Sequence, residues 1–119
     1  MSYIDGFVVP VPTGNKEAYR EMAAKAATIF REHGATRVVE CWGDDIRDGK
    51  VTDFKMAVKA QPGENVVFSW VEWPSRVARE EGLAKFMADP RLAESFQNMP
   101  FDGQRMFFGG FEVMIEEGG

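Results

Sequence analysis

Four segments of this chain carry apolar side chains on both of the faces that a β-strand presents, whereas only two long segments show the period of an amphipathic helix. Successive side chains of a strand point to opposite faces, so each of these strands needs cover on two sides. Two helices can cover one face of a four-stranded sheet. The sequence therefore predicts a sheet whose second face is left for a partner.

The order of the segments narrows the fold further. The predicted strands are residues 3–9, 36–42, 66–73 and 105–116, and the predicted helices are residues 16–33 and 75–88. This βαββαβ order predicts an α+β, ferredoxin-like fold with a four-stranded antiparallel sheet and two main helices on one face.

Local signals set the predicted boundaries. Pro10 and Pro12 are expected to end the first strand, because proline cannot donate to a strand ladder. The Thr13-Gly14-Asn15 turn is expected to cap the first helix, and Gly34 to end it. Ser75 is expected to cap the second helix, and Asp89-Pro90 to start a short third one. Residues 51–60, within the 44–60 arm, are predicted to form an exposed, extended segment.

Size and charge limit the function classes. A chain of 119 residues is expected to form one domain over residues 1–119. Fourteen basic against nineteen acidic residues give a net charge of −5, which argues against nucleic acid or an anionic membrane as partner. A single cysteine and the lack of a signal-peptide pattern predict a cytoplasmic protein.

Several short motifs are spread along the chain, namely D-G-F at 5–7, H-G-A at 33–35, V-E-C at 39–41, V-F-S-W at 67–70, M-A-D-P-R-L at 87–92, M-P-F-D-G-Q-R-M at 99–106 and G-G-F-E at 109–112. With these motifs the chain resembles the bacterial DUF1428 family, which has no established function. The resemblance spans the chain and implies a dimeric α/β barrel, in which the sheets of two copies close on each other.

Alternation divides the strand side chains into two sets, and we expect the helices to cover the smaller ones. That set is Ile4, Gly6, Val8, Val39, Cys41, Val67, Ser69, Val71, Gly109, Phe111 and Val113. The larger set, expected to meet the partner, is Tyr3, Phe7, Val38, Trp42, Phe68, Trp70, Met106, Phe108 and Met114.

Each strand also places one acid in the larger set, namely Asp5, Glu40, Glu72 and Glu112. A carboxylate among aromatic side chains must be paired, hydrated or protonated. The acids could pair with Arg105, Arg37, Lys55 or bases of a partner subunit. Alternatively, with Trp42 and Trp70, they could line a polar pocket for a basic ligand or for proton transfer.

The remaining candidate residues have weaker patterns. His33, the only histidine, is a weak catalytic candidate and more typical of a helix C-cap. Cys41 lies in mid-strand and is a weak nucleophile candidate. Asp102 and Arg105 either form a turn or bind an anionic group at a pocket mouth. One histidine and one cysteine do not make a ligand set, so no metal and no cofactor are predicted.

These observations predict a homodimer that binds a small ligand in or near the intersubunit barrel. The first alternative is a small cofactor-independent enzyme of the oxygenase or isomerase type, by analogy of fold. The second alternative is a purely structural or regulatory interaction module.

Overall fold

The computed structural model describes residues 2–95 and 97–118, and these form one antiparallel sheet with helices. In chain order the elements are β1 (Tyr3–Pro12), α1 (Lys16–Glu32), β2 (Arg37–Trp42), α2 (Phe54–Ala57), β3 (Glu64–Trp73), α3 (Arg76–Ala88), α4 (Pro90–Ser95) and β4 (Phe107–Glu112). The strand order is β2-β3-β1-β4. This α+β, ferredoxin-like arrangement confirms the predicted fold class.

The register of the strands assigns every side chain to a face. Asp5 lies opposite Val71, and Glu40 lies opposite Ser69, so these residues share one face. Helices α1 and α3 pack on that helix-side face, where Tyr3 and Trp73 join Phe30 in the core. The other face, here called the open face, consists of Ile4, Gly6, Val39, Cys41, Phe68, Trp70, Glu72, Phe107, Gly109 and Phe111.

The predicted faces are therefore correct for β3 and wrong for β1, β2 and β4. Val67, Ser69 and Val71 lie under the helices as expected, but so do Tyr3, Phe7, Val38 and Trp42. The physical reason is the period of two in a strand, which makes a one-residue error in phase reverse a whole strand. Side-chain size was a poor guide, because the long helix α1 contributes many alanines and leaves room for large side chains on the sheet.

Most helix boundaries agree with the prediction. Gly34 has φ +109° directly after the C-cap residue His33, in a conformation that glycine adopts without strain. The Ser75 side chain accepts a hydrogen bond from the Ala78 amide and caps α3. The Thr13-Gly14-Asn15 turn precedes α1 as predicted and Asn15 is its N-cap residue, but the Asn15 side chain donates to the Pro100 carbonyl at 2.9 Å and does not cap the helix.

The first strand does not end at the prolines. β1 continues beside β3 to the Pro12–Glu64 pair, whereas its pairing with β4 stops at Val8. Beyond Val8 the β1 strand is therefore an edge, where a missing N–H costs no ladder hydrogen bond.

The predicted exposed arm is also partly wrong. Asp53 caps the single turn of α2 by accepting from the Met56 amide at 2.7 Å. The turn brings Val58, which is 1% exposed, against Val8 and Val66. The arm thus covers one end of the open face, and the Phe54 ring meets Phe68 edge-on with the centroids 6.0 Å apart.

One glycine inside α3 is required by packing. A Cβ on Gly82 would collide with the Trp73 ring and with the His33 carbonyl. Gly82 thus lets α3 approach the sheet closely, although glycine weakens a helix interior.

We expect Gly82→Ala to lower the free energy of unfolding by about 1–3 kcal/mol, because the added methyl group overpacks a filled core. Urea melts at a fixed protein concentration measure the change. Gly14→Ala is the matched control, since a Cβ there meets no atom within 4 Å. Equal free energies of unfolding for the two variants would contradict the packing role of Gly82.

Candidate functional site

The four strand acids do not converge. Asp5, Glu40 and Glu112 lie on the helix-side face, and Glu72 lies on the open face. The expectation of a common acidic pocket is therefore wrong, because β1, β2 and β4 have the opposite phase to the one assumed, whereas β3 has the assumed phase. Each acid has an environment of its own, and Glu112 is exposed to solvent.

Asp5 is a buried structural anchor. Its carboxylate is 2% exposed and accepts from Arg79 through Nε at 3.0 Å and Nη2 at 2.7 Å. The Trp73 indole donates to the same carboxylate at 3.0 Å. The Arg79 guanidinium also lies over the Tyr3 ring, 5.2 Å from its centroid. Asp5 is thus paired, but with Arg79, which the sequence analysis did not name.

Glu40 has the most unusual surroundings. The Tyr19 hydroxyl of α1 donates to its Oε1 at 2.6 Å. Glu40 is solvent-exposed as a whole residue, but its carboxyl end lies against α1, and this partial burial raises its pKa. The pKa of Tyr19 is far above its usual range because of burial and the neighbouring Glu40 charge.

Tyr19 was not among the predicted site residues, because the helical period alone assigns it to the buried apolar face of α1. The feature of the sequence that could have identified Tyr19 is its phenol group, because a buried tyrosine hydroxyl needs a hydrogen-bond partner.

A cleft of about 330 Å³ opens beside this pair, between α1 and the edge strand β2. It is here called the α1–β2 cleft, and its lining residues are Lys16, Tyr19, Arg20, Ala23, Ala24, Ala27, Val38, Glu40, Cys41, Trp42 and Val67. Lys16 Nζ lies 5.5 Å from the centre of the Trp42 ring. Of the residues predicted for a site, the cleft brings together Glu40, Trp42 and Cys41.

Trp70 and Glu72 form a separate group on the open face. The Trp70 indole donates to Glu72 Oε2 at 2.9 Å, and Arg37 Nη1 lies 3.8 Å from the same oxygen. The predicted pairing of an acid with Arg37 is present here. Glu72 is thus already satisfied within one subunit, at the end of the open face remote from α2.

Arg105 is held between two acids. It donates to both oxygens of Glu64 at 2.7 Å and to Asp102 Oδ2 at 3.0 Å. Asp102 also accepts from the Gln104 amide, as in the predicted turn. Hydrogen bonds from Arg105 hold the pKa values of Glu64 and Asp102 below their usual ranges. The guanidinium is therefore occupied, which disfavours a role in binding an external anion.

His33 and Cys41 do not form a catalytic pair. His33 Nε2 lies 3.0 Å from Asp89 Oδ2, which ties the end of α1 to the start of α4. Hydrogen bonds from Arg91 and then from His33 hold the pKa of Asp89 well below its usual range. Cys41 is half-buried on β2 opposite Phe68, on the open face rather than under the helices as expected.

Two further classes of feature are absent from residues 2–95 and 97–118. No helix there is long and apolar enough to cross a lipid bilayer. No group of three or more His, Cys, Asp or Glu side chains in the same ranges has the geometry to hold a metal ion.

Comparison with known proteins places the chain among uncharacterised sequences. The model of the family described as "Protein of unknown function (DUF1428)" matches residues 2–103. The chain is 61% identical over 117 residues to the uncharacterized protein YbaA of Escherichia coli (strain K12), covering 98% of this chain and 100% of YbaA.

Solved structures with a similar fold are more distant. A dimeric ferredoxin-like protein from an uncultured marine organism has a TM-score of 0.60 at 11% identity, covering 98% of this chain and 100% of that one. SnoaB, a cofactor-independent oxygenase from Streptomyces nogalater, has a TM-score of 0.52 at 13% identity, covering 97% and 93%. Similarity at these identities establishes the fold alone.

We expect Asp5→Asn to lower the free energy of unfolding by about 3–5 kcal/mol, because it leaves the Arg79 guanidinium without its buried counter-charge. Glu112→Gln should change it by less than about 0.5 kcal/mol, as is usual for an exposed residue. Denaturant melts at one fixed protein concentration compare the two variants. An Asp5→Asn variant with the same free energy of unfolding as the wild type would contradict the anchoring role.

The Arg105 cluster predicts a specific acid sensitivity. Because the folded-state pKa values of Glu64 and Asp102 are lowered, their contribution to stability is complete above their unfolded values of about 4. It is lost as the pH falls through the lower folded values. Urea melts between pH 7 and pH 2.5 should therefore show a shallower acid loss of stability for Arg105→Gln than for the wild type.

Arg47→Gln is the control for this pH series. Its guanidinium pairs with Asp45 at 2.9 Å on the surface, where the Arg47 side chain is 85% exposed. The loss of stability of that variant between pH 7 and pH 2.5 should match that of the wild type. If the unfolding free energy of Arg105→Gln fell with pH as steeply as that of the wild type, the proposed link between the Arg105 hydrogen bonds and acid sensitivity would be wrong.

Proposed function

The chain belongs to the DUF1428 family, and on that premise we propose that it functions as a homodimer in which each subunit binds a small molecule at the edge of its own sheet. The open face is the observation that carries this proposal. It presents a continuous aromatic surface on which Phe68, Phe107 and Phe111 are 45%, 47% and 61% exposed. Contiguous apolar surface of this kind is typical of a protein interaction site.

A second copy of the same chain is the occupant that fits this face best. The face is flat and apolar at its centre, and Phe111 lies across Gly6 and Gly109, where a Cβ would stand 3.7 and 3.6 Å from its ring. Its charged group, Arg37 with Glu72, is at one end and is satisfied within the subunit. A two-fold axis through the centre would place like apolar surfaces together. The similar marine protein is described as dimeric, which supports this arrangement.

A small molecule is the ligand that we propose, and the α1–β2 cleft is the candidate site. Its volume of about 330 Å³ lies at the lower end of the range of small-molecule pockets. The walls of the cleft are α1 and the helix-side face of the edge strand β2, so the sheet separates it from the open face and it stays accessible when two open faces pack. We propose a cytoplasmic setting, and the net charge of −5 disfavours nucleic acid as the partner.

A small cofactor-independent enzyme is the second candidate function. Glu40 and Tyr19 favour it, because a carboxyl group of raised pKa beside a phenol can hold or accept a proton from a bound molecule. The similarity in fold to the oxygenase SnoaB is compatible with such chemistry. Turnover of a bound molecule would distinguish an enzyme from a binding protein.

We expect the wild type to sediment as a dimer at micromolar concentration, with on the order of 1,600 Å² or more buried in total. Trp70→Glu should yield a monomer, because it places an unpaired charge in a desolvated contact. Sedimentation equilibrium measures both masses.

Val77→Glu is the matched control for this experiment. Val77 is 69% exposed on α3, which packs on the opposite side of the sheet, so the variant should remain dimeric. Circular dichroism of each variant establishes that it is folded. A monomeric wild type, or a folded Trp70→Glu variant that is still dimeric, would overturn the proposed interface.

A further inference from the structure

We infer that the α1–β2 cleft binds a small aromatic molecule that carries both a hydroxyl group and an acidic group. This inference rests on the proposed ligand-binding function and adds the chemical class of the ligand. Three features of the cleft carry it: a flat apolar wall, a partly used carboxylate, and two cationic side chains.

The wall of the cleft suits a flat ring. On the helix it is formed by Ala23, Ala24 and Ala27, whose side chains project little. On the sheet it is formed by Val38 and Val67. A slot between small side chains of a helix and a strand accommodates a planar apolar body, and the volume of about 330 Å³ is suited to a compound with a single ring.

The Glu40 carboxylate supplies an acceptor inside the slot. Tyr19 donates to its Oε1, and no donor from residues 2–95 or 97–118 hydrogen-bonds to Oε2. A hydroxyl group of the ligand can donate to that free oxygen. Such a bond to a charged, partly desolvated acceptor is stronger than a neutral one.

The cations of the cleft select an acid rather than an amine as the second polar group of the ligand. Lys16 lies over the Trp42 ring, and Arg20 lines the same cleft. The acid nearest to Arg20 is Glu17 at 3.7 Å, an exposed pair that holds the guanidinium weakly. Because Lys16 already occupies the face of Trp42, the cation–π position is taken. An ammonium ligand would meet two positive charges, whereas a carboxylate would be attracted by both.

The test uses 4-hydroxybenzoate as the probe, titrated into the ¹⁵N-labelled full-length protein and followed by NMR. We expect saturable shifts that are largest for Tyr19, Glu40 and the Trp42 indole. Benzoate, which lacks the hydroxyl group, should bind at least roughly tenfold more weakly, because it cannot make the charge-assisted hydrogen bond. Tyramine, which replaces the acid by an amine, should also bind at least roughly tenfold more weakly, because its ammonium group is repelled by Lys16 and Arg20.

Two variants separate the contributions of the hydroxyl group and of the acidic group of the ligand. Glu40→Gln should weaken the binding of 4-hydroxybenzoate roughly tenfold, because its hydroxyl group loses a charged acceptor. The same variant should bind benzoate at least as tightly as the wild type, because benzoate has no hydroxyl group and one negative charge is removed from the cleft. Lys16→Ala should weaken the binding of 4-hydroxybenzoate and of benzoate, but not the binding of phenol, which has no acidic group. Glu72→Gln, on the open face, is the control and should bind 4-hydroxybenzoate like the wild type.

Failure of the inference is distinguishable from failure of the dimer. A protein that sediments as a dimer but shows no saturable shift with any probe overturns the cleft as a site for this class. Tyramine binding more tightly than 4-hydroxybenzoate overturns the selection for an acid. Shifts confined to residues of the open face also overturn the inference, because they would place the ligand between the subunits.

Discussion

The buried ion pair between Asp5 and Arg79 is the interaction on which the rest of the structure depends. A carboxylate that is 2% exposed is unfavourable unless charge and hydrogen bonds compensate it, and here a guanidinium and the Trp73 indole do so. The pair joins the centre of the sheet to α3. It therefore fixes which face of β1 lies under the helices, and through the register it fixes every other side chain of the sheet.

Once that face is fixed, the open face follows from geometry. Phe68 and Trp70 on β3 must point away from the helices, together with Phe107 and Phe111 on β4. The α2 segment covers one end of this surface through Val58, and the Arg37–Glu72 pair closes the other. The apolar centre remains, so the same constraint that builds the core also creates the surface proposed for dimerisation.

The strand acids show how one residue type takes different roles in different surroundings. Asp5 is an anchor, Glu72 is satisfied at the rim of the open face, and Glu112 is exposed. Glu40 alone combines partial burial, a phenolic donor and an adjoining cleft. A ligand site depends on this combination more than on the number of acids, which is why the proposed site lies beside the sheet rather than between two sheets.

The sequence by itself determined the order of the strands and main helices and the fold class, because helix period, turn residues and strand composition are local properties. Its short motifs indicated the family. Gly34 and Ser75 carry such local signals, and both are where the sequence predicted them. Only the tertiary structure decided the faces of β1, β2 and β4, the Arg79 partner of Asp5 and the Tyr19–Glu40 contact. These depend on the phase of strands against helices distant in the chain, and alternation alone has two equally regular solutions for each strand.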